Sequence, residues 1–461
     1  MKKPLTEIVG WLQADGQNMD GKFVTGVSID SRTAAAGDLF IPFRGEQVNG
    51  HNYVEQAIKG GAVAALWMKD EPHPPADLPL IFVEDPERAL QEMARTYRDT
   101  LRCKVVGITG SNGKTSTKDL IASVLAPYFK VQKTEGNYNN ELGLPLTILS
   151  LEEDTEFAIL EMGMSGFGEI SFLSKLAKPH FAVITNIGEA HMQDLGSRAG
   201  IAKAKFEIID GLQEGGKLFY DGDEPLLREL IGQHPAVEAI SFGHQKETTL
   251  SLVKIESGDE GSHFVVTGLL DAEFTIPVYG AHQVKNALAA ILIANEATVS
   301  IADIGSALQH TSLTDMRMQP VIVGNGALFI NDAYNAAPTS MRAALAFIEE
   351  TGLRKEKWIV LADMLELGDD EQVYHENLAN EITAMDLEGI MLYGPRMKWL
   401  YEKLEKSNSE TRLLWSEKDY TPIVDTLQES TGENSIVLLK GSRGMALEYI
   451  VKDLIGKGTG E

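Results

Sequence analysis

Gly110, Gly113, Lys114 and Thr115 lie in the run VVGITGSNGKTSTKDL, Val105 to Leu120, where their types and spacing suit phosphate binding. The two glycines let the backbone turn tightly and aim N–H groups at an oxyanion, and a helix starting at the lysine adds the positive end of its dipole. Lys114 can then reach terminal phosphates, and Thr115 can ligate Mg²⁺. The whole cradle is expected to comprise Gly110, Ser111, Asn112, Gly113, Lys114, Thr115 and Ser116. The common pattern G-x-x-x-x-G-K-[ST] requires glycine at position 108, which is Ile108 here, so the loop is a shorter G-x-x-G-K-T form. A strand-like run before it and a helical run after it favour a cradle over a glycine-rich connector with an incidental lysine.

AILEMG places Glu161 at the end of a buried strand, and VITNIGEAH places His191 in the loop after another. Both strand ends should open on the side of the phosphate loop, where a carboxylate and an imidazole can hold a second divalent cation. Taken singly, Glu161 can cap a helix and His191 can be an ordinary loop histidine. In AGIAKAKFEII, Lys203 and Lys205 read most simply as surface lysines on a solvated helix face. Asp332 and Tyr334, in INDAYNAAP, follow an apolar strand, and the simplest duty of the aspartate is to its own turn.

At 461 residues the chain is too long for one core and suggests about three domains. Residues 1–100 mix strand-like stretches, Val63 to Trp67 and Leu80 to Val83, with helical ones. Thr6 is expected to cap a short helix, and Pro86 to open one that presents Ala89, Leu90, Met93, Ala94 and Tyr97 on one face. Residues 101–314 alternate strands at Val105 to Ile108, Phe157 to Leu160 and Phe181 to Thr185 with helical stretches. That alternation argues for a P-loop-type, mostly parallel sheet whose ligands gather at the carboxyl ends of its strands. Residues 315–461 repeat strand-then-turn segments, FINDAY, KWIVLADM, GIMLYG and SIVLLKG, so a C-terminal open α/β sheet is expected. The fold class is α/β, in three domains.

Lys and Arg number 41 against 67 Asp and Glu, a net charge of 41 − 67 = −26, which repels a nucleic-acid backbone. A single cysteine, Cys103, cannot form an intrachain disulfide. The opening MKKPLTEIVG has no apolar core of a signal sequence, and the longest apolar run, Ala287 to Ala294, falls far short of the ~18 residues that span a bilayer. A cytoplasmic protein with neither nucleic-acid partner nor membrane insertion is expected.

In order along the chain, these segments resemble the Mur ligase family, the ATP-dependent amide-forming enzymes of peptidoglycan precursor synthesis. GSNGKTST resembles the family's phosphate loop, TNIGEAHM its metal-binding histidine segment, GAHQVKNALAA its adenine-contacting segment and DMRMQ the junction to its third domain. Within the family, GNYNNELGLPLTIL, INDAYNAAPTSM, LADMLELG and LLKGSRGMALE resemble the members that add D-alanyl-D-alanine to a UDP-N-acetylmuramoyl tripeptide.

The resemblance implies ATP and Mg²⁺ as cofactors; a monomer is expected, although no segment of the sequence reads the oligomeric state. Its first domain would bind the UDP substrate, its second ATP, and its third would close over the nucleotide and bind the amine. It implies that Lys114, His191 and Lys205 are catalytic, and that Thr115, Glu161, His191 and Lys205 serve the metal ions, Lys205 as a carbamate. Asn286 would face adenine, Asp332 the ribose and Arg317 the phosphates. VSIDSRTAAAGDLF resembles the uridine-nucleotide segment and offers Ser28, Asp30, Ser31 and Arg32. Asn137, Asn139 and Asn140 of GNYNN, with Tyr334 and Asn335, would meet sugar or peptide, turn formation being the alternative for the asparagines. Gln283 and Ala337 stand where asparagine is common in the family. Rival readings are the member that adds the third amino acid, whose DNPR-like segment is not found here, a folylpolyglutamate synthase, and a nucleotide-binding protein without ligase turnover. No segment reads whether the tripeptide ends in L-lysine or meso-diaminopimelate.

Overall fold

The computed structural model describes residues 1–189, 192–258, 260–406 and 411–456. Contacts divide the chain into two units, one of Met1–Thr109, Tyr128–Ala182 and Glu207–Leu218, the other of Gly110–Pro127, Val183–Phe206 and the chain from Phe219 onward.

In the first unit a five-stranded sheet runs in the order Asp15–Gln17, Leu80–Val83, Ala64–Met68, Asp38–Phe40, Gly26–Ser28, parallel except for its first strand. Phe40, Val54, Ala57, Trp67 and Leu80 form its core on one face. The helix Pro86–Thr100 begins where expected. Asp85 accepts from the N–H groups of Glu87 and Arg88, Pro86 takes the first helical position, and the face Ala89, Leu90, Met93, Ala94 and Tyr97 is buried. Thr6 departs from expectation: the helix is Leu5–Leu12, preceded by Pro4, and has no side-chain cap. The Leu5 N–H donates to Lys22 O instead, so a backbone acceptor does the work assigned to Thr6. Three further strands of this unit, Val131–Lys133, Phe157–Glu161 and Lys104–Thr109, are parallel, with Phe157–Glu161 between the other two. Cys103, just before the last of them, is buried.

The second unit carries the helix Lys114–Leu125, against which the sixteen-residue helix Ala281–Glu296 packs. Residues 284 and 287–294 of the latter are all apolar and buried, so its polar Gln283 and Asn286, also buried, need partners. Strands Leu250–Gly258, Gly261–Gly268 and Ala272–Ile276 form an antiparallel ladder beside Glu238–Gly243. Farther along, a six-stranded sheet runs Gln319–Ile322, Leu328–Asn331, Ser435–Lys440, Glu356–Ala362, Gly389–Tyr393, Arg412–Ser416, parallel but for its first strand. Apolar clusters cover both faces, one including Ile330, Leu361 and Leu438, the other Phe329, Val360 and Val437. This is the open α/β sheet expected of the C-terminal segment. Among the described residues no helix is long and apolar enough to cross a membrane.

Candidate active site

The strand Lys104–Thr109 runs straight into the glycine-rich loop, and the helix Lys114–Leu125 begins at its lysine. Gly113 has φ 79°, a left-handed conformation that glycine adopts without penalty. A Cβ there would stand 2.7 Å from Asn286 Oδ1, and one on Gly110 would stand 1.8 Å from Thr185 Oγ1. Both glycines are therefore required by close packing.

Thr185, Asn186 and Gly188 clasp the loop. Ser111 N donates to Asn186 O at 3.1 Å. Asn112 N donates to Asn186 Oδ1 at 2.9 Å, while Asn186 Nδ2 and Thr185 Oγ1 donate to Asn112 O at 2.9 and 2.5 Å. Gly188 N donates to Ser111 Oγ at 2.8 Å. Lys114 Nζ donates to Gly110 O at 2.9 Å, folding its ammonium over the loop. Thr115 and Ser116 are buried in the first turn. Asn112 Nδ2, buried in this cradle, has no hydrogen-bond partner among the described residues. A buried donor beside an uncapped helix N-terminus fits an anion such as a nucleotide phosphate. Asn286 packs under Gly113 and donates to Gln283 Oε1 at 3.2 Å, so the glutamine found where asparagine is common keeps a partner for it.

Lys203 and Lys205 part company. On the helix Arg198–Phe206, Lys203 is exposed and Lys205 is buried, because residues two apart point to nearly opposite faces. The solvated reading therefore fails for Lys205. Burial first, and the nearby Lys114 charge second, push its ammonium well below the ordinary lysine range.

In the first unit, buried Glu161 accepts from Asn139 Nδ2 at 2.9 Å, and its own N–H donates to Thr134 Oγ1 at 3.0 Å. Asn139 thus orients the carboxylate. Asn140 Oδ1 accepts from the N–H groups of Leu142 and Gly143, the turn-forming role; Asn137 is exposed. Ser28 and Asp30 line a cavity of about 340 Å³ together with Thr33, Lys133, Tyr138 and Thr147. Ser31 and Arg32 follow in the adjoining turn. Arg32 grips Asp30 through Nε and Nη2, which holds that carboxyl down to about 2. Lys133 went unnoticed in the sequence because it belongs to a strand remote from Ser28.

Around the junction to the six-stranded sheet, Met316 and Met318 are both left-handed, with φ 63° and 54°. Arg317 lies between them with its guanidinium 4.1 Å from the centre of the Tyr334 ring, and its Nε is buried without a hydrogen-bond partner among the described residues. Asp332 accepts from Met318 N at 3.1 Å and pairs with Lys440 at 2.5 Å. Lys440, itself buried, also donates to Asn335 O at 3.1 Å. The structure thus brings Arg317, Asp332, Tyr334 and Asn335 together. Sequence reasoning missed Lys440, whose only signal is its place at the end of SIVLLKG. Lys440→Met strands the carboxylate of Asp332 and is expected to cost about 3 kcal/mol, read as a lower denaturant midpoint. An unchanged midpoint would mean that the Met318 N–H alone suffices. His191 lies outside the described residues.

Three family models match the chain: "Mur ligase family, catalytic domain" over residues 23–98, "Mur ligase middle domain" over 108–294 and "Mur ligase, glutamate ligase domain" over 316–443. A UDP-N-acetylmuramoyl-tripeptide--D-alanyl-D-alanine ligase of Bacillus subtilis is 43% identical over 456 residues, 98% of either chain. The Haemophilus influenzae protein of the same name is 31% identical, over 94% of this chain and 93% of its own. Among solved structures, MurF from Acinetobacter baumannii superposes with a TM-score of 0.89 at 28% identity, covering 99% of both chains. MurF from Thermotoga maritima in complex with ADP gives 0.83 at 26%, covering 94% of this chain and 98% of its own.

Proposed function

Because the chain belongs to the Mur ligase family, we propose that it joins D-alanyl-D-alanine to a UDP-N-acetylmuramoyl tripeptide, converting ATP to ADP and phosphate, in peptidoglycan precursor synthesis. The observation that carries this reading is the 43% identity to the Bacillus subtilis ligase across 98% of both chains. We assign residues 1–100 to the UDP substrate, 101–314 to ATP, and 315–461 to closure over the nucleotide and to the amine. The reaction belongs in the cytoplasm, where ATP is supplied, and one chain carries every group named, so a monomer suffices.

The tripeptide's terminal carboxylate attacks the γ-phosphorus, ADP leaves, and the resulting acyl phosphate is attacked by the dipeptide amine. The amine loses a proton and phosphate departs. Carboxylate and triphosphate repel each other, so bound Mg²⁺ would supply the neutralising charge, with Thr115, Glu161, His191 and a carbamate on Lys205 to hold it. The buried Glu161 carboxylate is an oxygen donor of the kind a hard cation takes, and so, by itself, is the buried Thr115 hydroxyl. The cradle N–H groups and Lys114 bind the phosphates, Arg317 adds a cation to them, Asp332 meets the ribose and Asn286 the adenine. Ser28, Asp30 and the turn holding Ser31 and Arg32 face the uridine nucleotide, where Lys133 offers a charge to its diphosphate. Asn137, Asn139 and Asn140 would meet sugar or peptide, as would Tyr334 and Asn335.

A site built for a dipeptide leaves polar groups unpaired when a single amino acid binds, at about 1–3 kcal/mol each. D-alanyl-D-alanine is therefore expected to exceed D-alanine and L-lysine by roughly tenfold to hundredfold or more in kcat/KM. The measurement is a panel of amines against UDP-muramoyl dipeptide and tripeptide, with products weighed by mass spectrometry. Efficient addition of L-lysine to the dipeptide precursor would overturn the assignment.

A further inference from the structure

At Gly188 three elements approach one another. A Cβ there would stand 3.2 Å from Ser111 Cβ, 3.3 Å from Asn112 Nδ2 and 3.4 Å from Thr339 Oγ1. The first two belong to the phosphate loop; Thr339 lies in the first turn of the helix Pro338–Glu350. The next residue, Glu189, spans the gap. Its carboxylate accepts from Thr339 Oγ1 and, at 3.2 Å, from Arg342 Nη2. That helix is preceded by Ala337, which has no side chain to cap it. Glu189 therefore also brings a negative charge from another element to its positive end.

We propose that Glu189 is a positioning residue, a clasp through which the C-terminal segment sets the shape of the phosphate loop. The links are consecutive. Helix Pro338–Glu350 holds Glu189 through Thr339 and Arg342, one peptide bond joins Glu189 to Gly188, and Gly188 N holds Ser111 Oγ. A shift of the helix is passed through that short path to the N–H groups facing the phosphates. Glu189 is 18% exposed and Arg342 44%, so water competes for the arginine. Such a pair is weak enough to open at each turnover, as product release requires. Glu189 spends its carboxylate on protein partners, and it acts through the loop without touching substrate.

This inference rests on the ligase reading, and one experiment separates the two. Full-length wild type, Glu189→Gln, Arg342→Met, Thr339→Val and the Glu189→Gln/Arg342→Met double variant are assayed for dipeptide-dependent phosphate release, with KM for all three substrates and a thermal melt. Arg342 is exposed, so its variant is expected to fold normally. Each of Glu189→Gln and Arg342→Met should lower kcat about threefold to tenfold with KM values little changed, and the double should be no worse than the poorer single. Thr339→Val should lower kcat likewise. High salt should bring wild type toward the Arg342→Met value and leave that variant unmoved. Additive losses, losses confined to KM, or wild-type kcat in all single variants would overturn the clasp. Wild type that ignores the dipeptide would overturn the ligase reading instead.

Discussion

Lys205→Met is expected to stop ligation while the protein melts no lower than wild type. The sign follows from where the proton sits. Burial and the Lys114 charge hold the folded-state amine well below the ordinary lysine range, whereas in the unfolded chain it titrates near 10.4. Between those two values the unfolded state binds the extra proton, so stability rises with pH across that window, and below it the buried ammonium is a full cost. Each tenfold displacement of the proton equilibrium amounts to about 1.4 kcal/mol. Methionine removes the cost and nearly fills the space. Burial favours the neutral amine, the form that would attack CO₂: an N–C bond would form, a proton would leave, and a carbamate anion would remain. On the reading proposed above, that anion would offer oxygen to Mg²⁺ and would turn repulsion from Lys114 into attraction. Lys203→Ala, on the exposed face, should keep activity within about twofold. Phosphate release, a melt and the ¹³C resonance of a carbamate carbonyl make the comparison. Turnover in Lys205→Met, or a larger loss in Lys203→Ala, would refute the role.

How much of this was legible depended on whether the deciding contact is local. The glycine-rich loop could be read because strand, turn and helix lie within sixteen residues of one another, Val105 to Leu120, and each part demands particular residue types. The strand-ending segments of the C-terminal sheet were readable for the same reason. Asn186 and Lys440 were not, since their worth lies in partners 74 and 108 residues away. Lys203 and Lys205 are chemically identical neighbours, and only the rotation of a packed helix separates them. The antiparallel strands between Leu250 and Ile276 went unread because one face is solvated and polar residues interrupt the apolar run. At Thr6 the local capping preference loses to a backbone acceptor supplied from Lys22.

Lys114→Ala should abolish turnover, by on the order of a thousandfold or more in kcat/KM, with little change in stability. The loop keeps its form without the side chain. Its conformation is fixed by Thr185, Asn186 and Gly188 acting on Ser111 and Asn112, and Lys114 contributes to it a bond to Gly110 O. What is lost is a positive charge placed over the phosphate cradle in a chain of net charge −26, where two anionic substrates must meet. The same substitution acts on Lys205. The Lys114 charge is the lesser of the two causes that depress the Lys205 ammonium, so its removal favours the protonated amine and would disfavour the proposed carbamate. The two lysines are therefore coupled, and Lys114→Ala/Lys205→Met should fall far short of the product of the single losses. Lys114→Arg, which restores charge with a planar head of different reach, should recover only part of the rate. Phosphate release, ADP-binding calorimetry and a melt test each part. Wild-type turnover in Lys114→Ala would remove the nucleotide from this loop, and strictly multiplicative losses would show that the two amines act independently.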